Sequence, residues 1–253
     1  MNRIISVSNH KGGVGKTTSV VNIGAGLANH GRKVLLIDLD PQANMTISYG
    51  LAESDNHIYE AHSNGNGLKP ISVRENIDII PASVNLSEAE VELKVEEGAP
   101  NPISELIEPI KDNYDYIIID CPPSLGLLTL SAFAASKEVI IPIQPHFLAV
   151  KGLAKIIEVV NNIKATVNRQ IEISAVFVTM YDKRRILHKD VLDTIIMYFD
   201  DRVFNTKIRA NIALAEAPAV GQDIFEYDKH SNGAFDYGKL VKEVIAMEDK
   251  FGN

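Results

Sequence analysis

Lys11-Gly12-Gly13-Val14-Gly15-Lys16-Thr17-Thr18 places three glycines between two lysines and closes on two hydroxyl residues. Glycines let successive backbone N–H groups turn inward around phosphate oxygens. A lysine at position 16 then reaches the β and γ phosphates of a nucleoside triphosphate, and the Thr17 hydroxyl can ligate Mg²⁺. Three carboxylates stand where they can serve such a site. Asp38 and Asp40 are two residues apart at the end of an apolar run and so point to the same side. Asp120 closes the run Tyr116-Ile117-Ile118-Ile119, from which a carboxylate reaches Mg²⁺ through water. A single Asp after a strand is ordinarily a turn or helix-capping residue. Three of them beside a phosphate loop favour metal and water chemistry. No nucleophile is needed for phosphoryl transfer to water, and none is evident.

The elements that must hold these residues are legible in the hydropathy pattern. Short β-branched runs at Ile4 to Ser8, Val34 to Asp38, Ile77 to Ile80, Tyr116 to Asp120, Val139 to Ile143 and Ile173 to Thr179 alternate with longer amphipathic stretches. Such runs read as buried parallel strands with crossover helices. The predicted fold is α/β: a doubly wound, mostly parallel sheet flanked by helices, with residues 1–253 forming one domain. The glycine loop follows the first strand and opens a helix running to about His30, with Gly31 as its stop. Val150, Leu153, Ile157 and Val160 are spaced to lie on one helix face against the sheet. The polar stretch Glu53 to Gly67 reads as a surface loop. The ligand site is expected beyond the carboxyl ends of the strands.

Composition narrows the functional classes. With 253 residues, 45% hydrophobic and 23% charged, the chain is an ordinary globular protein. One cysteine, Cys121, cannot make an internal disulfide, and neither it nor the seven histidines form a metal-ligand pattern. No signal-peptide core or membrane span is evident, so a cytoplasmic protein is expected. The net charge is -8, from 25 Lys plus Arg against 33 Asp plus Glu, so any nucleic-acid contact requires a local basic patch.

The glycine loop departs from the general P-loop pattern, with His10 where a glycine is expected and Lys11 as a second lysine. This variant resembles the ParA/MinD family of P-loop ATPases. The segments Ile77 to Ser83, Asp120-Cys121-Pro122-Pro123-Ser124, Thr179-Met180-Tyr181-Asp182 and Leu214-Ala215-Glu216-Ala217-Pro218 look like ParA-type proteins in the same order. The closest branch is the small ParA/Soj type that partitions plasmids or chromosomes, because no extra N-terminal DNA-reading domain precedes the loop. The resemblance implies ATP and Mg²⁺ as ligands, with nucleotide held by Lys11, Gly12, Gly13, Val14, Gly15, Lys16, Thr17 and Thr18. It gives Lys11 a reach across a dimer interface to the partner's nucleotide, much as an arginine finger does. Asp40 orients the attacking water, while Thr17, Asp38 and Asp120 serve the metal. Adenine recognition falls near Met180, Asp182 and the turn carrying Thr206, Ile208 and Arg209.

In that branch ATP-bound homodimers bind DNA nonspecifically, and a ParB-like partner stimulates hydrolysis and releases them, which implies nucleoid association in the ATP-bound state. Relatives typically show Ile-Pro-Arg-Asn and a further arginine where this chain has Ile208-Arg209-Ala210-Asn211-Ile212-Ala213. Candidates for a basic surface are Lys183, Arg184, Arg185, Lys189, Arg202, Lys207 and Arg209. A solvated helix face is an equal reading of each one singly. Two alternatives remain: positioning of a protein cargo, and a MinD-like membrane ATPase. Against the second, Glu243, Glu248 and Asp249 spoil attraction to anionic lipid and leave the Leu240, Val241, Val244 and Ile245 face to pack on the sheet. A non-hydrolysing scaffold fits poorly with Asp40 in place.

Overall fold

The computed structural model describes residues 2–51, 57–89, 101–147 and 149–251. Among them, eight strands form one sheet: β1 (Arg3–Val7), β2 (Val34–Asp38), β3 (Ile71–Arg74), β4 (Ile77–Ile80), β5 (Tyr116–Asp120), β6 (Glu138–Ile143), β7 (Glu172–Tyr181) and β8 (Val203–Arg209). Their spatial order is β3-β4-β2-β5-β1-β6-β7-β8. Every pairing is parallel except β3 with β4. The helices that matter for the site are α1 (Lys16–Asn29), α2 (Ile58–Asn64), α3 (Leu127–Ala135), α4 (Ala149–Thr166), α5 (Ile186–Phe199) and α6 (Asn232–Ala246).

The alternation of side chains along each strand divides the core between two faces. Leu35, Ile37, Ile117 and Ile119 pack with Phe133, Leu153, Ile156 and Ile195. Leu36, Ile118 and Ile5 pack on the other side with Ile23, Leu27, Leu240 and Val244. Central strands buried on both faces explain the continuous apolar runs. The helix after Pro145 buries Leu153, Ile156, Val160 and Ile163, so its core stripe is centred slightly away from Val150 and Ile157, which are half-buried. In α6, Leu240, Val241 and Val244 are fully buried, as expected for packing rather than a membrane face. Arg3 anchors this helix: its guanidinium pairs with buried Glu138 at 2.7 Å and donates to the Val244 carbonyl at 2.7 Å.

Two strands and one helix were not foreseen. β3 is a short, half-exposed edge strand, and β8 is broken by Asn205, Thr206 and Lys207, so neither shows a continuous apolar run. Part of the expected Glu53 to Gly67 loop is α2, started by His57, whose side chain accepts from the Glu60 N–H. Glu53 itself lies outside the described residues.

Helix α1 lies unusually close to its neighbours. A Cβ at Gly24 would stand 2.8 Å from Leu36, and one at Gly26 would stand 2.5 Å from Val241. Glycine at both positions lets the helix settle between the sheet and α6.

Candidate active site

The loop between β1 and α1 lies at the carboxyl edge of the sheet, and β6 and β7, the next two strands on one side of β1, hold it. Val14 is buried, and its carbonyl accepts from Thr179 Oγ1 of β7 at 2.8 Å. Asn9 donates to the Pro142 carbonyl of β6 at 2.8 Å and accepts from the Lys11 N–H at 3.1 Å. Asn9 and Thr179 thus fix the loop's shape, and sequence reasoning assigned neither that task. Gly13 and Gly15 have φ values of 72° and 86°, the left-handed region where a Cβ is costly. A Cβ at Gly12 or Gly13 would meet nothing within 4 Å, so the cradle opens toward space.

No side chain caps the N-terminus of α1, and its first turn carries no acid. Its leading amides and partial positive charge are left for an outside anion. Lys16 is buried beside them, with Nζ donating to the Lys11 carbonyl at 3.1 Å. Burial lowers the Lys16 pKa, against the opposing pull of Asp120, Cys121 and Asp40. Gly12, Gly13, Gly15, Lys16, Thr17, Thr18 and Asp40 line one cavity of about 650 Å³.

The three carboxylates separate into distinct situations. Asp40 is nearly buried, faces this cavity and accepts from the Gln42 N–H at 3.0 Å. Asp38 is fully buried but turned to its own loop: Oδ1 accepts from the Asp40 N–H, and Oδ2 from the N–H and hydroxyl of Thr46 at 2.9 and 2.7 Å. Both its oxygens are engaged, which corrects the expectation that it faces the phosphate loop as Asp40 does. Burial pushes its pKa up to about 6 despite the Thr46 bonds. Asp120 is also fully buried, yet both its oxygens lack a hydrogen-bond partner among the described residues. The Thr17 side chain and Lys16 draw its pKa down, while burial and neighbouring Asp38 raise it well above the carboxylate range and prevail. The Thr17 hydroxyl influences Asp120 without completing a regular hydrogen bond.

A buried carboxylate without partners calls for a cation or a cation's water. Mg²⁺ suits this arrangement, since it takes one or two protein groups and leaves its other positions to water and phosphate. Among the described residues no cluster of three His, Cys, Asp or Glu side chains is built to enclose a metal. Cys121 is buried and free, with its pKa raised mainly by burial, as expected of an apolar filler.

Met180, in the left-handed region at φ 50°, lies beside the loop and lines both the main cavity and a small cleft of about 130 Å³. Buried Ile208 and Arg209 share that cleft with Leu214 and Asn211. Asp182 and Thr206 do not; they line a separate cavity, which corrects their expected place at the base. There Asp182 is held by Arg184 at 2.9 Å, which brings its pKa well below the usual range.

This second cavity, about 900 Å³, gathers Lys183, Arg184, Lys207, Arg209, Lys239 and Lys242 around Asp182, Asp236 and Glu243. All three acids are engaged. Asp182 takes Arg184, Asp236 takes Arg209 at 2.7 Å, and Glu243 accepts from the amides of Asn205 and Thr206 at 2.7 and 2.8 Å. The lysines are the surplus charge in a chain whose net charge is -8. Lys239 and Lys242 of α6 were not foreseen. Lys189 is exposed on α5 outside this cavity, and Arg185 sits 3.8 Å from Asp182 at its rim. Arg202 lies at the opposite end of β8, packed over the Phe199 ring, and does not join the cluster.

Fold and site together define a P-loop nucleoside triphosphatase. The family model described as "AAA domain" matches residues 2–173. The chain is 43% identical to the chromosome-partitioning ATPase Soj of Treponema pallidum, over 98% of this chain and 99% of the relative. It is 42% identical to the sporulation initiation inhibitor protein Soj of Bacillus subtilis, over 97% and 99%. Among solved structures it resembles cobyrinic acid a,c-diamide synthase of Mycobacterium smegmatis with bound ADP and magnesium. That likeness has a TM-score of 0.83 and 29% identity, covering 100% of this chain and 97% of the other. The chain belongs to the ParA/Soj family of P-loop ATPases, whose ligands are ATP and Mg²⁺. No described helix is long and apolar enough to cross a membrane.

Proposed function

We propose that this protein is an ATP-driven partition switch: two copies join over bound ATP, hold DNA while ATP persists, and part after hydrolysis stimulated by a ParB-like partner. The observation that carries the reading is the uncapped α1 terminus opening, with Lys16 and Asp40, onto one cavity. The relatives named as chromosome-partitioning proteins supply the process. The cytoplasm, and the nucleoid when ATP is bound, is the proposed place of action.

The loop amides and Lys16 bind the β and γ phosphates, and burial keeps those interactions strong. Thr17 and Asp120 would hold Mg²⁺, which would supply charge neutralisation to the phosphates. Asp38 acts behind Asp120, fixing the turn through Thr46. Asp40 orients water toward the γ phosphate, and Lys11 reaches the nucleotide of the second subunit. Met180, Ile208 and the Arg209 backbone flank the adenine. Lys183, Lys207, Lys239 and Lys242 attract DNA phosphates without regard to sequence.

The test is size-exclusion chromatography with light scattering, with and without ATP and plasmid DNA, on wild type and Asp40→Ala. The expected result is a monomer that becomes a dimer with ATP, a longer-lived dimer in the variant, and DNA co-elution of the dimer alone. An Asp40→Ala protein that stays monomeric with ATP and hydrolyses normally would remove the role given to Asp40.

A further inference from the structure

Lys11 does not extend into solvent in the single subunit. Its ammonium is in hydrogen-bond contact with Nε2 of His146, in the segment joining β6 to α4. A second contact holds the two segments together. The His10 ring fills the space above Gly152 of α4, where a Cβ would come within 2.2 Å of its Cε1. His10 Nδ1 is buried there without a hydrogen-bond partner, so the ring is kept by shape. The residue before Lys11 is thereby keyed into α4, and the N-terminal turn of α4 is tied to His146 by the Ala149 N–H donating to its carbonyl at 2.9 Å.

The geometry points to His146 as a positioning residue for Lys11: it parks the ammonium at home, and the lysine must leave it before reaching the nucleotide of a second copy. This rests on the trans role proposed for Lys11 above. A neutral imidazole accepts from an ammonium, whereas an imidazolium repels it. Burial, and then the charge of Lys11, lower the His146 pKa, so the neutral, holding form prevails near pH 7. Lys11 is a charged group acting on His146, and His10 is the other titratable group on the facing loop. Acidification through the His146 pKa therefore releases the lysine and favours pairing of subunits.

Two measurements test this on the full chain. In nucleotide-free protein, an NMR titration of His146 should give a higher pKa in Lys11→Ala than in wild type, by about half a pH unit or more for a cation at contact distance. An unchanged pKa overturns the parked contact. With ATP, the dimerisation rate from light scattering is followed from pH 8 down through the His146 pKa found in that titration, in wild type and in His146→Gln, which keeps a neutral acceptor at every pH. The wild-type to variant ratio should rise about threefold or more as pH falls. A constant ratio, with Lys11→Ala failing to dimerise, overturns the role of His146 alone. If Lys11→Ala pairs like wild type, the trans-lysine reading falls and takes the function of parking with it.

Discussion

Asp38 and Asp120 are register partners on the adjacent parallel strands β2 and β5, both with no solvent exposure. Two carboxylates side by side in a low-dielectric setting raise one another's pKa, and burial raises both further. Only one of the pair, Asp38, has its charge answered by local donors. Asp120 is the carboxylate kept in want of a cation.

Replacing Asp120 by Asn should therefore stabilise the ligand-free protein at pH 8 while removing its stabilisation by Mg²⁺ and nucleotide. The sign follows from linkage. A carboxylate whose folded pKa is raised binds more protons folded than unfolded, so stability falls as pH rises from the unfolded value near 4 through the folded one. Differential scanning fluorimetry should show the variant's advantage at pH 8 shrinking toward pH 5. A lower melting temperature than wild type at pH 8 would contradict the unanswered charge.

Asp40→Ala removes the group proposed to position water and leaves the loop amides and Lys16 in place. Hydrolysis should fall by about 10² or more, while nucleotide affinity changes only severalfold. Single-turnover phosphate release and fluorescent-nucleotide titration separate the two effects. Weakened binding matching the lost turnover would place Asp40 in ground-state contact instead.

The basic cavity makes a prediction about salt. Each lysine that neutralises a phosphate contributes close to one counterion to the logarithmic dependence of binding on salt. Lys239→Ala with Lys242→Ala should weaken DNA binding with any sequence and reduce the salt slope by about 2 per subunit, about 4 for the dimer. Arg202→Ala, at the far end of β8, should leave that slope unchanged. Fluorescence anisotropy across a salt series reads both.

Gly26→Ala tests the seating of α1. The new methyl would meet Val241, and overpacking of this kind costs about 1 to 3 kcal/mol, more than the helix propensity gained. Adding Val241→Ala should recover part of the loss, so denaturant melts of the singles and the double should be non-additive. Simple addition of the two losses would show that the helix adjusts elsewhere.

The site was legible wherever chemistry follows from local order. A glycine loop between strand and helix and acids at strand ends are both local patterns, and the central strands announce themselves because burial on two faces demands unbroken apolar runs. The edge strands do not. The half-exposed Ile71–Arg74 alternates too briefly, and Asn205-Thr206-Lys207 reads as a turn until α6 is seen to cover it. Lys239 and Lys242 were missed for the same reason, since only tertiary packing brings α6 beside β8. Asp182 and Thr206 were assigned to the base by likeness to relatives, and each stands two residues from Met180 or Ile208, the spacing that shares a face in a regular strand. β7 ends at Tyr181, which leaves Asp182 beyond the strand, and the pairing of β7 with β8 shifts register between Val203 and Lys207, beside Thr206. Strict alternation survives only for the adjacent pair Met180 and Tyr181.

That alternation at the end of β7 leaves Met180 and Tyr181 on two sides of a common wall: Met180 borders the cleft beside the phosphate loop, and Tyr181 the lysine-rich hollow. Arg209 on β8 straddles it. A movement of the Met180–Tyr181 backbone or of Arg209 would therefore reshape both hollows at once.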